Sequence, residues 1–133
     1  MYKGLCIVPI SRKKKDKGMV SDILNIPYLD LIIRYAEKNQ YAVMYLSKTN
    51  GLVYYDSYIE CENSYITNLK LWSAIVSEQV LRMCLDINVP KVVFMNHNKR
   101  GYEELIYSVR KRGLTVETPI QGYKESVLNI ILK

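Results

Sequence analysis

Apolar residues arrive along this chain in short blocks separated by polar turns, and the blocks alternate between two kinds. The first kind is a run of five to nine residues rich in Leu, Ile and Val: Tyr2 to Ile10, Tyr41 to Leu46, Lys91 to Met95 and Leu114 to Thr118. Such runs predict strands, and those without polar alternation predict strands buried on both faces. The second kind repeats at helical spacing. Leu29, Ile32, Ile33 and Ala36 predict a helix from about Tyr28 to Asn39, with Pro27 at its first position and Asn25 near its cap. Leu71, Ile75, Val76, Val80, Met83 and Cys84 predict the longest helix, capped by Thr67 or Asn68 and ending near Ile87, with Trp72 at the margin of its apolar face. Leu105, Ile106 and Val109 mark a helix from Tyr102 to Arg112, stopped by Gly113. Val127, Leu128, Ile131 and Leu132 mark a last one from Tyr123 to Leu132.

Strands that alternate with helices imply parallel pairing. The expected fold is a single α/β domain, a three-layer sandwich around a four-stranded, mainly parallel sheet in the order 2-1-3-4. No internal repeat, low-complexity segment or second domain is visible. One connection is long, from Lys48 to Ile66, and carries Tyr54, Tyr55, Tyr58 and Tyr65. Connections of that length are uncommon without a function or structure of their own. Its tyrosines can stack on a base or sugar, or simply pin the segment to the body.

At 133 residues and 49% hydrophobic, the chain is long enough for one full core. No apolar run approaches the ~18–20 residues of a membrane span, and charges follow the first apolar stretch rather than precede it, unlike a signal peptide. A cytoplasmic protein without membrane contact is expected. Three cysteines without a Cys-x-x-Cys spacing suggest neither a disulfide framework nor a zinc site. Cys6 and Cys84 fall in apolar runs and should be buried; Cys61 falls in a polar stretch.

Charge adds one feature. The net charge is +6, and Arg12, Lys13, Lys14, Lys15 and Lys17 sit in one stretch with only Asp16 among them. The rest of the chain is near neutral, so this is a local basic site. Such a site suits phosphate on a nucleotide or nucleic acid; a solvated loop is the plainer alternative. The stretch follows the first strand, at the sheet edge where open α/β folds bind ligands. The same edge should collect Ser11, Arg12 and Lys13 with Ser47, Asn50, Asn96, Gln121 and Gly122 as ligand-binding residues. His97, the only histidine, follows the third strand and is a candidate general acid or base, and Glu62 is the other candidate catalytic residue; a plain surface role is the alternative for each. P-loop, dinucleotide and nucleophile-elbow patterns are absent. No metal or cofactor is expected.

Three short motifs occur in order: Ile10-Ser11-Arg12-Lys13-Lys14, Leu46-Ser47-Lys48-Thr49-Asn50-Gly51-Leu52 and Pro119-Ile120-Gln121-Gly122, with Tyr102 after the third strand. Together they resemble a family of small uncharacterised α/β proteins of phages, archaea and bacteria. These carry Ser/Cys-Ser-x-x-Lys, Leu-Ser-x-x-x-Gly-Leu and Pro-x-x-Gly at those places. That family is distantly similar to the glycosylase-like domain attached to archaeal tRNA-guanine transglycosylase relatives. The resemblance implies a nucleic-acid or nucleobase connection. The chain departs from the pattern at Ile10, where a cysteine is common, and at Cys61-Glu62, where Tyr-Asp is expected.

Three functions are therefore open. The first is binding of nucleic acid or a phosphate-bearing small molecule at the C-terminal edge of the sheet. The second is hydrolysis of a glycosidic or phosphoester bond in nucleic acid. The third is a non-catalytic role as a homodimeric interaction protein.

Overall fold

A computed structural model describes residues 1–10, 14–60, 66–97 and 101–133. Its centre is β1, Gly4–Pro9, with every residue buried. The strand alternates between two cores. Cys6 and Val8 enter one cluster, with Ile32 and Ala36 of helix α2 (Leu29–Lys38) and with Leu128 of the short helix α5 (Leu128–Ile131). Leu5 and Ile7 enter the other, with Val76 and Val80 of helix α3 (Leu69–Asp86) and Leu105 and Val109 of helix α4 (Glu103–Lys111). A strand covered on both faces has no solvent side, which is why its sequence lacks polar alternation.

Strand β3, Tyr41–Ser47, and strand β6, Lys91–Phe94, lie on either side of β1 and parallel to it; β7, Thr115–Glu117, continues the sheet parallel to β6. These four keep the expected relative order. The sheet, however, has five strands rather than four, in the order β4-β3-β1-β6-β7. The additional strand β4, Gly51–Val53, turns back antiparallel on the edge of β3. The turn-forming run Ser47 to Asn50 therefore closes a hairpin instead of ending a strand. Gly51 makes it possible, with φ of +73°, where a side chain is disfavoured.

The long connection is likewise structured. Its strand β5, Tyr58–Glu60, pairs antiparallel with β2, Lys17–Met19, to form a separate two-stranded ribbon. A four-residue helix α1, Val20–Ile23, follows β2 and places Val20 and Ile23 in the first core. Val20 N–H donates to Ser57 O at 2.8 Å and Ser21 N–H to Tyr55 O at 2.9 Å. Lys14 N–H donates to Ile23 O at 2.7 Å. The later part of the basic stretch is thus fastened to the body.

Three further expectations are corrected. Helix α2 begins at Leu29, so Pro27 lies in the preceding turn. The last helix is reduced to a 3-10 turn, Glu125–Val127, followed by α5. In α3 the inward stripe is Ser73, Val76, Ser77, Val80 and Cys84, and Leu71 and Ile75 face solvent at 57% and 53% exposure. Asn68 caps α3 as expected, its side chain accepting from Leu71 N–H at 3.0 Å. Among the described residues no helix is long and apolar enough to cross a membrane.

Candidate functional site

Parallel pairing brings the ends of β1, β3, β6 and β7 to one edge. There the polar residues form two groups, one on each side of β1.

The first group closes the turn after β3. Ser47 is buried, and its Oγ accepts from Asn50 N–H at 3.2 Å and from Asn50 Nδ2 at 3.1 Å. Asn50 Nδ2 also donates to Glu60 O at 3.1 Å. Asn50 therefore joins the hairpin to the β2–β5 ribbon. Both residues, expected to bind ligand, are hydrogen-bonded to one another here, and Asn50 also to the ribbon.

The second group follows β6. Asn96 is buried, and His97 retains 16% side-chain exposure. Gly122 N–H donates to His97 O at 2.8 Å, so the turn after β7 fixes the histidine backbone. His97 Nδ1 lies 2.8 Å from the Tyr28 hydroxyl, and the two rings meet edge to face at 5.2 Å. His97 Nε2 lies 3.7 Å from Glu125 Oε1. With a neutral ring, one tautomer suits both neighbours: Tyr28 donates to Nδ1, and Nε2–H turns towards the carboxylate. A protonated ring keeps the line by donating to the phenol oxygen. The result is a Tyr28–His97–Glu125 chain of polar contacts. Chemically it offers an imidazole oriented on both sides, as a general acid or base requires.

Of the expected site residues, His97 and Gly122 come together, and so do Ser47 and Asn50. Gln121 instead lines a cavity of about 190 Å³ with Tyr107, Arg110 and Thr118. Ser11, Arg12, Lys13 and Glu62 lie outside the described residues, as does Cys61. Tyr28 and Glu125 were missed. Tyr28 stands 69 positions from His97 and had no marker beyond its place beside Pro27; Glu125 was one acid in a predicted helix.

The chain leaves β1 at Ile10, whose N–H donates to Leu46 O at 2.9 Å. Lys14, Lys15 and Lys17 are exposed, and none belongs to an ion pair among the described residues. Among those residues no group of three or more His, Cys, Asp or Glu is arranged to hold a metal ion. Cys6 and Cys84 are free and buried, and burial pushes their thiols up to about 12 and about 11. Neither takes part in the edge. No protein-family profile, curated protein or solved structure matches the chain.

Proposed function

We propose that the protein binds nucleic acid, through its phosphates, at the C-terminal edge of the sheet. The observation that carries this reading is the exposed set Lys14, Lys15 and Lys17, which has no ion pair among the described residues and is fastened beside that edge. Neighbouring ammonium groups without carboxylates repel one another, and a polyanion relieves that repulsion while releasing its counterions. The backbone bonds of Lys14 and of β2 support the reading further, because they hold the charges in place before a ligand arrives. The resemblance carried by the Ser11, Ser47 and Gly122 motifs points the same way. The test is fluorescence anisotropy of a labelled oligonucleotide at two salt concentrations. Binding should weaken steeply with salt and should be lost in a Lys14→Ala, Lys15→Ala, Lys17→Ala variant. Binding indifferent to both would dismiss these lysines as the site.

A second reading rests on a different observation, the Tyr28–His97–Glu125 chain. An imidazole held from both sides beside a phosphate-binding edge is equipped to move a proton during phosphoester or glycosidic hydrolysis. In this reading Glu125 takes the acidic role first given to Glu62. Cleavage of an oligonucleotide by the native protein and its loss in His97→Gln would establish it.

A further inference from the structure

The apolar shelf on α3 lies in neither polar group. Leu71 and Ile75 are more than half exposed, one helical turn apart, and Trp72 lies between them in sequence. With Lys48, Thr67 and Asn68 they line an open cavity of about 270 Å³. Trp72 is held rigidly there. Its indole N–H donates to Lys48 O at 2.9 Å, and its ring packs 6.4 Å from Tyr102, which in turn meets Phe94 at 5.2 Å.

This cavity connects with the basic ribbon through bonded neighbours. Lys17 pairs with Glu60 across the ribbon; Glu60 O accepts from Asn50; Asn50 closes the turn that contains Lys48; Lys48 O holds Trp72. Exposed Lys14, Lys15 and Lys17 on the ribbon side are thus linked, through the backbone of Glu60 and Asn50, to exposed Lys48 at the rim of an aromatic and aliphatic hollow. Proteins that bind single strands combine these two parts, a basic path for the backbone and an aromatic platform for an unstacked base. A duplex keeps its bases stacked inside and presents none to such a hollow.

We propose that the Trp72 cavity receives one base of a single-stranded nucleic acid whose phosphates lie along Lys48 and the basic ribbon. The proposal rests on the nucleic-acid reading above and adds to it strandedness and a base subsite. Lys48 follows β3 directly and can meet the phosphate next to the captured base. Leu71 and Ile75 supply the apolar floor, and their exposure in the free protein leaves that floor open.

Trp72 is the only tryptophan, so its emission reports on this cavity alone. The experiment titrates native protein with a short labelled oligothymidylate and follows anisotropy and Trp72 emission together. Emission should change saturably, with the same midpoint as anisotropy and the same sensitivity to salt. An abasic oligomer of equal length should bind more weakly and leave the emission unchanged. Leu71→Ala with Ile75→Ala, at exposed positions and with folding checked by circular dichroism, should weaken binding roughly three- to tenfold. The salt slope should stay the same in that variant, because no phosphate contact is removed. Salt-sensitive anisotropy with unchanged Trp72 emission would overturn the base subsite and leave the phosphate reading standing. An abasic oligomer that binds as well as oligothymidylate would do the same. No binding even at low salt would overturn both.

Discussion

The two ends of the sheet each carry a polar cluster, and the clusters are built to opposite plans. At the N-terminal end Lys91 Nζ donates to the Tyr41 hydroxyl at 2.9 Å, lies 3.3 Å from Glu117 Oε1 and sits 5.0 Å from the centre of the Tyr41 ring. Gly4 of β1 leaves room for this crossing; a Cβ there would stand 3.1 Å from the Tyr41 ring. One cation meets one anion and one acceptor, so the cluster is closed. At the C-terminal end, Lys14, Lys15 and Lys17 have no carboxylate partner among the described residues, while His97 sits between a phenol and a carboxylate. A satisfied cluster offers a ligand little; an unsatisfied one gains by meeting an anion. The comparison sets a closed end against an open one, and the proposed binding site lies at the open end.

The largest effect that tests this contrast is on binding. Replacing Lys14, Lys15 and Lys17 with Ala should cut oligonucleotide affinity at least tenfold and flatten the salt slope by roughly 2, at about 0.7 per single-strand phosphate contact. Lys91→Met should leave affinity unchanged. Equal losses in the two variants, measured by anisotropy, would mean that net charge matters and location does not.

Gly51→Ala sharpens the same contrast from the side of the frame. The substitution forces a side chain into a positive φ and against the Gln79 amide, whose oxygen accepts from Leu52 N–H at 3.1 Å. A loss of about 1–2 kcal/mol is expected, read by urea denaturation. Because the hairpin turn holds Lys48 and Asn50, oligonucleotide affinity should fall as well. A destabilised variant with full affinity would detach the turn from the binding edge.

Tyr28→Phe should cost about 1 kcal/mol, since it removes the hydroxyl and leaves His97 Nδ1 without that partner. Glu125→Gln should cost less, because its carboxylate is a third exposed and stands at 3.7 Å. If both leave urea midpoints unchanged, the chain of contacts does not brace the edge.

How much of this was legible beforehand depended on the range of the signal. The four parallel strands were visible because a buried strand writes its environment into consecutive residues, as Leu5 to Val8 do. The strands Lys17–Met19, Gly51–Val53 and Tyr58–Glu60 were not, because each is three residues long and, unlike Thr115–Glu117, does not sit in a separate apolar run after a helix. Helix α3 misled for another reason. Its apolar residues occur all round, with Leu69, Leu71, Ile75 and Leu85 exposed, so spacing alone could not choose the inward stripe. Ser73 and Ser77, which do face inward, look polar in sequence. His97 was conspicuous as a lone histidine after a strand, but its partners came from distant segments that only the fold brings near.

The smallest expected effect concerns pH and belongs to the closed cluster. The hydrogen bond to Tyr41 is the main influence that raises the Lys91 ammonium above its ordinary value of 10.5; burial opposes it and Glu117 adds to it. A group whose pKa is raised on folding contributes its full stabilisation below the unfolded value and loses it as pH climbs through the folded one. Lys91 therefore stabilises the protein at neutral pH, and that contribution fades only in the alkaline range. Other groups fade there too: burial raises Cys6, Cys84, Tyr45 and Tyr102, and it leads the causes that raise Tyr35. Most of these are common to the native protein and to Lys91→Met, but Lys91 also lowers Tyr35, so the difference between the two reports the lysine together with its tyrosine neighbours. Melting temperatures should differ by a constant amount at neutral pH and converge in the alkaline range, as pH climbs through the raised lysine value. Curves that stay parallel across that window would show that the Lys91–Tyr41 contact does not hold the proton. The closed character of the N-terminal cluster would then rest on Glu117 alone.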